Sequence, residues 1–262
     1  MFTLHDSSVT LGNNLALCSC TLDLDGGELV ALIGANGAGK STLLRLLGGL
    51  VDLSSGTMTC TADGVAYVAQ RQDHHRWMPM TVEEVLRMGR YRHRGLFGRF
   101  GQSDRLAMDT AAERLDVGDL RKRSFGELSG GQQQRVLIAS ALASEADVLL
   151  LDEPITGLDI PSQQLILDAA RHERDQGRLV VLSTHHLDEA AVCDRVLVLA
   201  SHVIADGPPS TALCAESLIE AFGRRVVQVE GSDHSLPVIM LDDHGHDHGS
   251  GGDHHHDHRE AG

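Results

Sequence analysis

The sequence predicts an α/β fold: a parallel core sheet carrying an antiparallel β subdomain and an α-helical subdomain. Three observations carry that reading. Residues 28–33 form a short apolar run that passes into Gly34-Ala35-Asn36-Gly37-Ala38-Gly39-Lys40-Ser41-Thr42, then into a helix-forming stretch ended by Gly48-Gly49. Val148–Leu151 is a second apolar run, and it ends in the paired carboxylates Asp152 and Glu153. Residues 146–206 alternate strand, helix, strand and strand over 148–151, 162–176, 179–183 and 195–200, the pattern of a parallel α/β core.

The elements follow in order. Residues 1–33 and 56–68 hold alternating or β-rich runs, expected to form an antiparallel sheet. Cys18-x-Cys20 falls in such a run, with Leu15, Leu17, Leu22 and Leu24, and reads as strand packing rather than a metal pair. Residues 76–143 are mostly helical. Thr81-Val82-Glu83-Glu84 is a capping box opening a helix at 82–88, and 104–115 is a second amphipathic segment. The basic, glycine-punctuated link 87–100 is expected to be exposed. Leu128-Ser129-Gly130-Gly131-Gln132 precedes a stretch of helical period, with Ser129 as its N-cap. Beyond Asp206-Gly207-Pro208-Pro209 come a helix at 211–222 and a hairpin of 225–230 with 236–241. After Asp242 the chain is His/Asp/Gly-rich and cannot bury a core. The expected division is thus a domain of 1–222, a short β extension of 223–241 and a tail of 242–262.

The glycine loop fits G-x-x-x-x-G-K-[ST] between a strand and a helix N-terminus. Backbone N–H groups and the positive end of the helix dipole would meet phosphate there, Lys40 adds a point charge, and the Ser41 hydroxyl can ligate Mg²⁺. The Ser129-Gly130-Gly131 start is a second anion-binding helix end with no lysine of its own. Asp152 and Glu153 stand where Mg²⁺ coordination and general-base work are expected.

Composition removes other classes. No run approaches the ~20 apolar residues of a membrane-spanning helix, and Met1-Phe2-Thr3-Leu4-His5-Asp6 lacks the basic start of a signal peptide. Five cysteines are scattered as expected for reduced thiols. The net charge of −15 argues against a nucleic-acid groove. The expectation is a cytoplasmic protein that works on the inner face of a membrane through a partner.

LSGGQ at 128–132, followed by Leu149-Leu150-Leu151-Asp152-Glu153-Pro154, Gly157-Leu158-Asp159 and Ser183-Thr184-His185, resembles the ATPase subunit of an ABC transporter over about residues 1–222. The resemblance implies the ABC-type P-loop fold, ATP with Mg²⁺, a homodimer and an integral membrane permease. By the same resemblance Gly34, Asn36, Gly37, Ala38, Gly39 and Lys40 hold the β- and γ-phosphates. Ser41 and Asp152 hold Mg²⁺, and Thr42 lies near the α-phosphate. Glu153 polarises the attacking water, His185 contacts the γ-phosphate, and Gln70 senses Mg²⁺ and phosphate. Ser129, Gly130, Gly131 and Gln132 reach the nucleotide of the opposite protomer, and Asp159 crosses the interface. The neighbours His186 and Gln72 are rivals for two of these roles. Ala69 stands where the family has proline, and Leu11 where it stacks an aromatic ring on adenine.

Met80–Tyr91, Ile155–Gln163 and Gly207-Pro208-Pro209 are similar to ATPases of zinc and manganese importers, and haem and iron-chelate importers share parts of them. The last 29 residues hold eight of the sixteen histidines. They are His234, His244, His246, His248, His254, His255, His256 and His258, interleaved with aspartates, a donor set suited to Zn²⁺, Ni²⁺ or Co²⁺. The reading is an importer ATPase for a transition metal, zinc first and manganese second, supplied by an extracytoplasmic metal-binding protein. The tail senses or buffers metal, or only solubilises the chain end. A haem or iron-chelate importer, a P-loop metallochaperone and a soluble ABC ATPase are the alternatives.

Overall fold

The apolar runs form strands buried on both faces. The structure, a computed structural model, describes residues 1–70, 79–94, 98–223, 226–228 and 238–240. Its first strands are β1 (Phe2–Leu11), β2 (Asn14–Leu24) and β3 (Leu29–Ile33), followed by helix α1 (Lys40–Leu47), β4 (Ser55–Cys60) and β5 (Val65–Val68). The helical part holds α2 (Val82–Met88), α3 (Tyr91–Arg94), α4 (Gln102–Arg114) and α5 (Gly130–Ala143). Then come β6 (Val148–Leu151), α6 (Ile160–Asp175), β7 (Leu179–Thr184), α7 (Leu187–Ala191), β8 (Arg195–Leu199) and β9 (Val203–Gly207). The last elements are α8 (Pro209–Ala212), α9 (Ala215–Phe222), β10 (Val226–Gln228) and β11 (Val238–Met240).

The main sheet runs β5-β6-β7-β3-β8-β9, with β5, β6, β7, β3 and β8 parallel and β9 antiparallel at the edge. Because side chains alternate across a strand, it feeds two cores. Leu29, Ala31, Ile33, Leu149, Leu151, Val180 and Leu182 join the helical layer, whereas Val30, Leu32, Val148, Leu150, Leu179 and Val181 join α1 and the second sheet. That second sheet, β2-β1-β4, is antiparallel. Among the described residues no helix is long and apolar enough to cross a membrane.

Several expectations are corrected. Residues 56–68 split: β4 enters the antiparallel sheet, but β5 lies parallel to β6 with Val68 opposite Leu151. Their burial differs accordingly: β4 is mostly exposed, whereas β5 is half-buried to buried against β6. In β2 the buried side changes phase, from Leu17 to Cys20, Leu22 and Leu24, through the bulged backbone at Ser19 (φ 42°). Leu11, at the place where the family stacks its aromatic ring, ends β1 and is exposed. The helix expected at 211–222 is two, because Cys214 is extended (φ −77°, ψ 159°) as the N-cap of α9. The sequence pattern missed α7 and β9.

The link 87–100 is not simply exposed. Arg90 is buried and donates to Asp104 Oδ1 (3.0 Å), to the Ala143 carbonyl (2.7 Å) and to Glu145 Oε2 (2.7 Å). Asp104 also accepts from the Gly101 N–H at 2.8 Å and so starts α4. One guanidinium thus ties the α2–α3 turn to α4 and to the end of α5. The Arg90→Ala variant should lose about 3–5 kcal/mol of unfolding free energy in urea, because buried Asp104 loses the guanidinium bonded to it. Glu145→Ala, at a half-exposed carboxylate, should cost under ~1 kcal/mol.

Candidate active site

Strand order brings the predicted segments together. Ile33 lies opposite Thr184, Leu151 opposite Leu182, and Val68 opposite Leu151. The chain therefore leaves β3, β5, β6 and β7 at one edge, where Gly34, Gln70, Asp152 and His185 follow. In open α/β sheets that carboxyl edge is where ligands bind.

The phosphate loop is built by close approach. Gly39, the N-cap of α1, has φ 97°, and a Cβ there would lie 2.7 Å from the Ala16 carbonyl. At Gly34 a Cβ would meet the Leu199 carbonyl at 2.3 Å. The loop is held from outside by Ser201, whose N–H donates to the Ala38 carbonyl (2.8 Å) and whose carbonyl accepts from Cys18 (2.6 Å). Asn36 and Gly37 are exposed, Ala38 and Thr42 buried. Lys40 is 6 % exposed and donates to the carbonyls of Gly34 (2.6 Å) and Ala35 (3.1 Å). Burial pulls its pKa below the usual lysine value, and the carboxylates Glu153 and Asp152 oppose that. A buried ammonium above open loop amides suits an anion such as a polyphosphate.

Asp152, 1 % exposed, is surrounded by hydroxyls. Ser41 donates to Oδ1 at 3.0 Å, Ser183 to Oδ1 at 2.7 Å and Tyr67 to Oδ2 at 3.2 Å. Burial, then the neighbouring carboxylate, raises the Tyr67 pKa, so its hydroxyl stays a donor. The Ser41 hydroxyl and the Asp152 carboxylate are hard oxygen donors side by side, a pair that fits Mg²⁺.

Glu153 stands next to that cluster in the left-handed region, φ 46°. Such a conformation costs a non-glycine residue about 1–2 kcal/mol; here the Glu153 N–H donates to Ser183 Oγ at 2.9 Å. Its carboxylate accepts from Gln70 Nε2 (2.9 Å) and lies 3.9 Å from His185 Nδ1. One carboxylate is thus faced by an amide and an imidazole, an arrangement able to orient a water molecule.

Two groups stand elsewhere. Ser129 accepts from Gln132 N–H (3.3 Å) and Gln132 returns its Oε1 to Ser129 N–H (3.1 Å), so both stay within the capping box of α5. Asp159 caps α6 by accepting from Ser162 N–H at 3.1 Å; hydrogen bonding from the Ser162 hydroxyl, then from its N–H, draws the Asp159 carboxyl pKa down. A Cβ on Gly131 would lie 3.6 Å from Leu158 and 3.7 Å from Ser162, so these two helix starts are neighbours. Gln72 and the tail histidines His234, His244, His246, His248, His254, His255, His256 and His258 lie outside the described residues.

Sequence reasoning overlooked Tyr67 and Ser183. Tyr67 lies three residues before Gln70, and Ser183 opens the Ser183-Thr184-His185 stretch. Their roles depend on the register that points each hydroxyl at Asp152.

Comparisons with known proteins agree with this geometry. The family model described as "ABC transporter" matches residues 17–156. A chelated iron transport system protein, YfeB of Yersinia pestis, is 37 % identical over 82 % of this chain and 77 % of its own. The manganese transport ATP-binding protein MntB of Listeria monocytogenes is 36 % identical, over 82 % of this chain and 93 % of its own. Among solved structures, a candidate metal-chelate type ABC transporter in an inward-facing conformation is similar with TM-score 0.79 and 28 % identity, covering 92 % of this chain and 97 % of its own. The chain belongs to the ABC transporter family, as an ATPase coupled to transport.

Proposed function

We propose that this chain powers uptake of a transition metal, acting as a homodimer on the inner face of a membrane beneath an integral permease. The observation that carries the reading is the division of the site. Lys40, Asp152, Glu153 and His185 gather where β3, β6 and β7 end, while the Ser129 and Gln132 side chains close on each other at the start of α5, whose Gly131 neighbours Leu158 and Ser162 at the start of α6. A second copy facing head to tail would lay that start on the nucleotide.

In this mechanism the loop amides and Lys40 hold the β- and γ-phosphates, with Thr42 toward the α-phosphate. Ser41 and Asp152, with Gln70 nearby, would hold the Mg²⁺ that neutralises phosphate charge. Glu153 accepts the proton of the water whose oxygen attacks the γ-phosphorus, and the bond to the bridging oxygen breaks, releasing ADP and phosphate. His185 and Gln70 keep that carboxylate and water aligned, since phosphoryl transfer is mostly positioning and charge stabilisation. Binding closes the dimer and turns the permease outward, where an extracytoplasmic metal-binding protein delivers cargo; hydrolysis resets it.

The named cargo of the Listeria relative favours manganese, and that of the Yersinia relative makes chelated iron the second reading. Zinc rests on the tail, whose imidazoles and carboxylates suit it as a cytosolic sensor or buffer.

Lys40→Ala should lose ATP binding, whereas Glu153→Gln should keep binding and lower kcat by about 10²–10⁴-fold. Cells carrying either variant should lose manganese accumulation, read by elemental mass spectrometry; unchanged manganese alongside lost iron would favour the second reading. Ser183→Ala removes one donor from a buried carboxylate and the acceptor of Glu153 N–H. It should cost about 1–3 kcal/mol, seen as lower stability and a higher Mg²⁺ requirement for turnover. Calorimetric titration with Zn²⁺ should give heat with the full chain and none with a chain ending at Leu241. Equal heats would remove the sensor role.

A further inference from the structure

His185 leans on a second imidazole. The His186 ring lies against it with centroids 4.1 Å apart and planes tilted by 38°. The ring surface of His185 is thereby occupied, while its Nδ1, in the ring plane, is the atom 3.9 Å from Glu153 Oε1.

The position of His186 makes this contact informative. It is the N-cap residue of α7, with extended backbone (φ −96°, ψ 125°), and its side chain makes no capping bond. Helix N-caps favour Ser, Thr, Asp or Asn, whose oxygens accept from the first turn. The imidazole there caps nothing; it lies against His185 and near the buried Glu189 carboxylate.

Its backbone is also pinned. The His186 N–H donates to Thr184 Oγ1 at 3.0 Å, and the Thr184 hydroxyl donates to the buried Glu189 carboxylate. The His186 carbonyl accepts from Ala190 at 3.3 Å. The ring therefore stands on a rigid turn, whereas His185 is a half-buried side chain at the end of β7, with several staggered rotamers open to an unsupported ring.

We propose that His186 is a positioning residue for ATP hydrolysis: its ring backs the His185 imidazole and holds Nδ1 turned toward Glu153. The proposal rests on the reading of His185 as a group that meets the reacting phosphate. The role needs a flat ring at residue 186, not a charge or a hydrogen bond.

The test is steady-state ATP turnover by the full chain, with thermal unfolding measured on every variant. His186→Ala should lower kcat by about two- to tenfold, the span an aromatic pair is worth, with KM for ATP within about twofold. His186→Phe should restore kcat, because it restores the ring face. His186→Asp, a better N-cap, should stay as slow as His186→Ala even where it unfolds at higher temperature. Wild-type turnover in His186→Ala would overturn the proposal, as would a phenylalanine variant as slow as alanine, or an aspartate variant as fast as wild type. His185→Ala separates the two layers. If it turns over ATP normally, the reading of His185 itself fails and the proposal falls with it. If it is inactive while His186→Ala is unaffected, only the positioning role fails.

Discussion

A buried carboxylate is costly unless its lone pairs are occupied, and Asp152 occupies them with hydroxyls drawn from three separate segments. Ser41 comes from the helix after the phosphate loop, Tyr67 from the edge strand β5, and Ser183 from the central strand β7. None of these donors is charged, so the hydroxyls orient the carboxylate without forming an ion pair with it. The same interaction acts as a gauge on the sheet. A slip of one residue in β5 or β7 would turn its hydroxyl to the opposite face.

The sheet can meet that demand because it is buried on both sides. Its strands feed two apolar cores in strict alternation, which fixes the register far more strongly than hydrogen bonds alone. The helical layer is joined to it by apolar packing and by charge. Arg90 links α4 and α5 from within, and buried Glu173 on α6 holds Arg114 of α4 at 2.8 Å and also meets Arg178. The α4–α5 layer that carries the Ser129 helix start is thereby tied to α6 and the core sheet.

Local features of the site were readable from residue order. The phosphate loop, the capping boxes at Thr81 and Ser129 and the paired carboxylates after β6 are contiguous stretches, whose geometry follows from neighbours within a turn or two. Features that depend on register were not. Tyr67 and Ser183 become ligating neighbours of Asp152 only when β5, β6 and β7 lie side by side. Arg90 looked like one of several exposed cations because its acceptors lie 14, 53 and 55 residues away.

By itself, then, the sequence determined the chemical parts of this protein: a lysine loop for phosphate, paired carboxylates and a second glycine-rich, serine-capped helix start. It could do so because glycine dihedrals, caps and apolar period are properties of short segments. The tertiary structure alone decided which side chains support that chemistry. It sent β5 to the core sheet, buried Arg90, turned two hydroxyls onto Asp152 and laid His186 against His185. Those outcomes follow from which surfaces must be covered and which buried charges must be paired, and both are set between segments far apart in the chain.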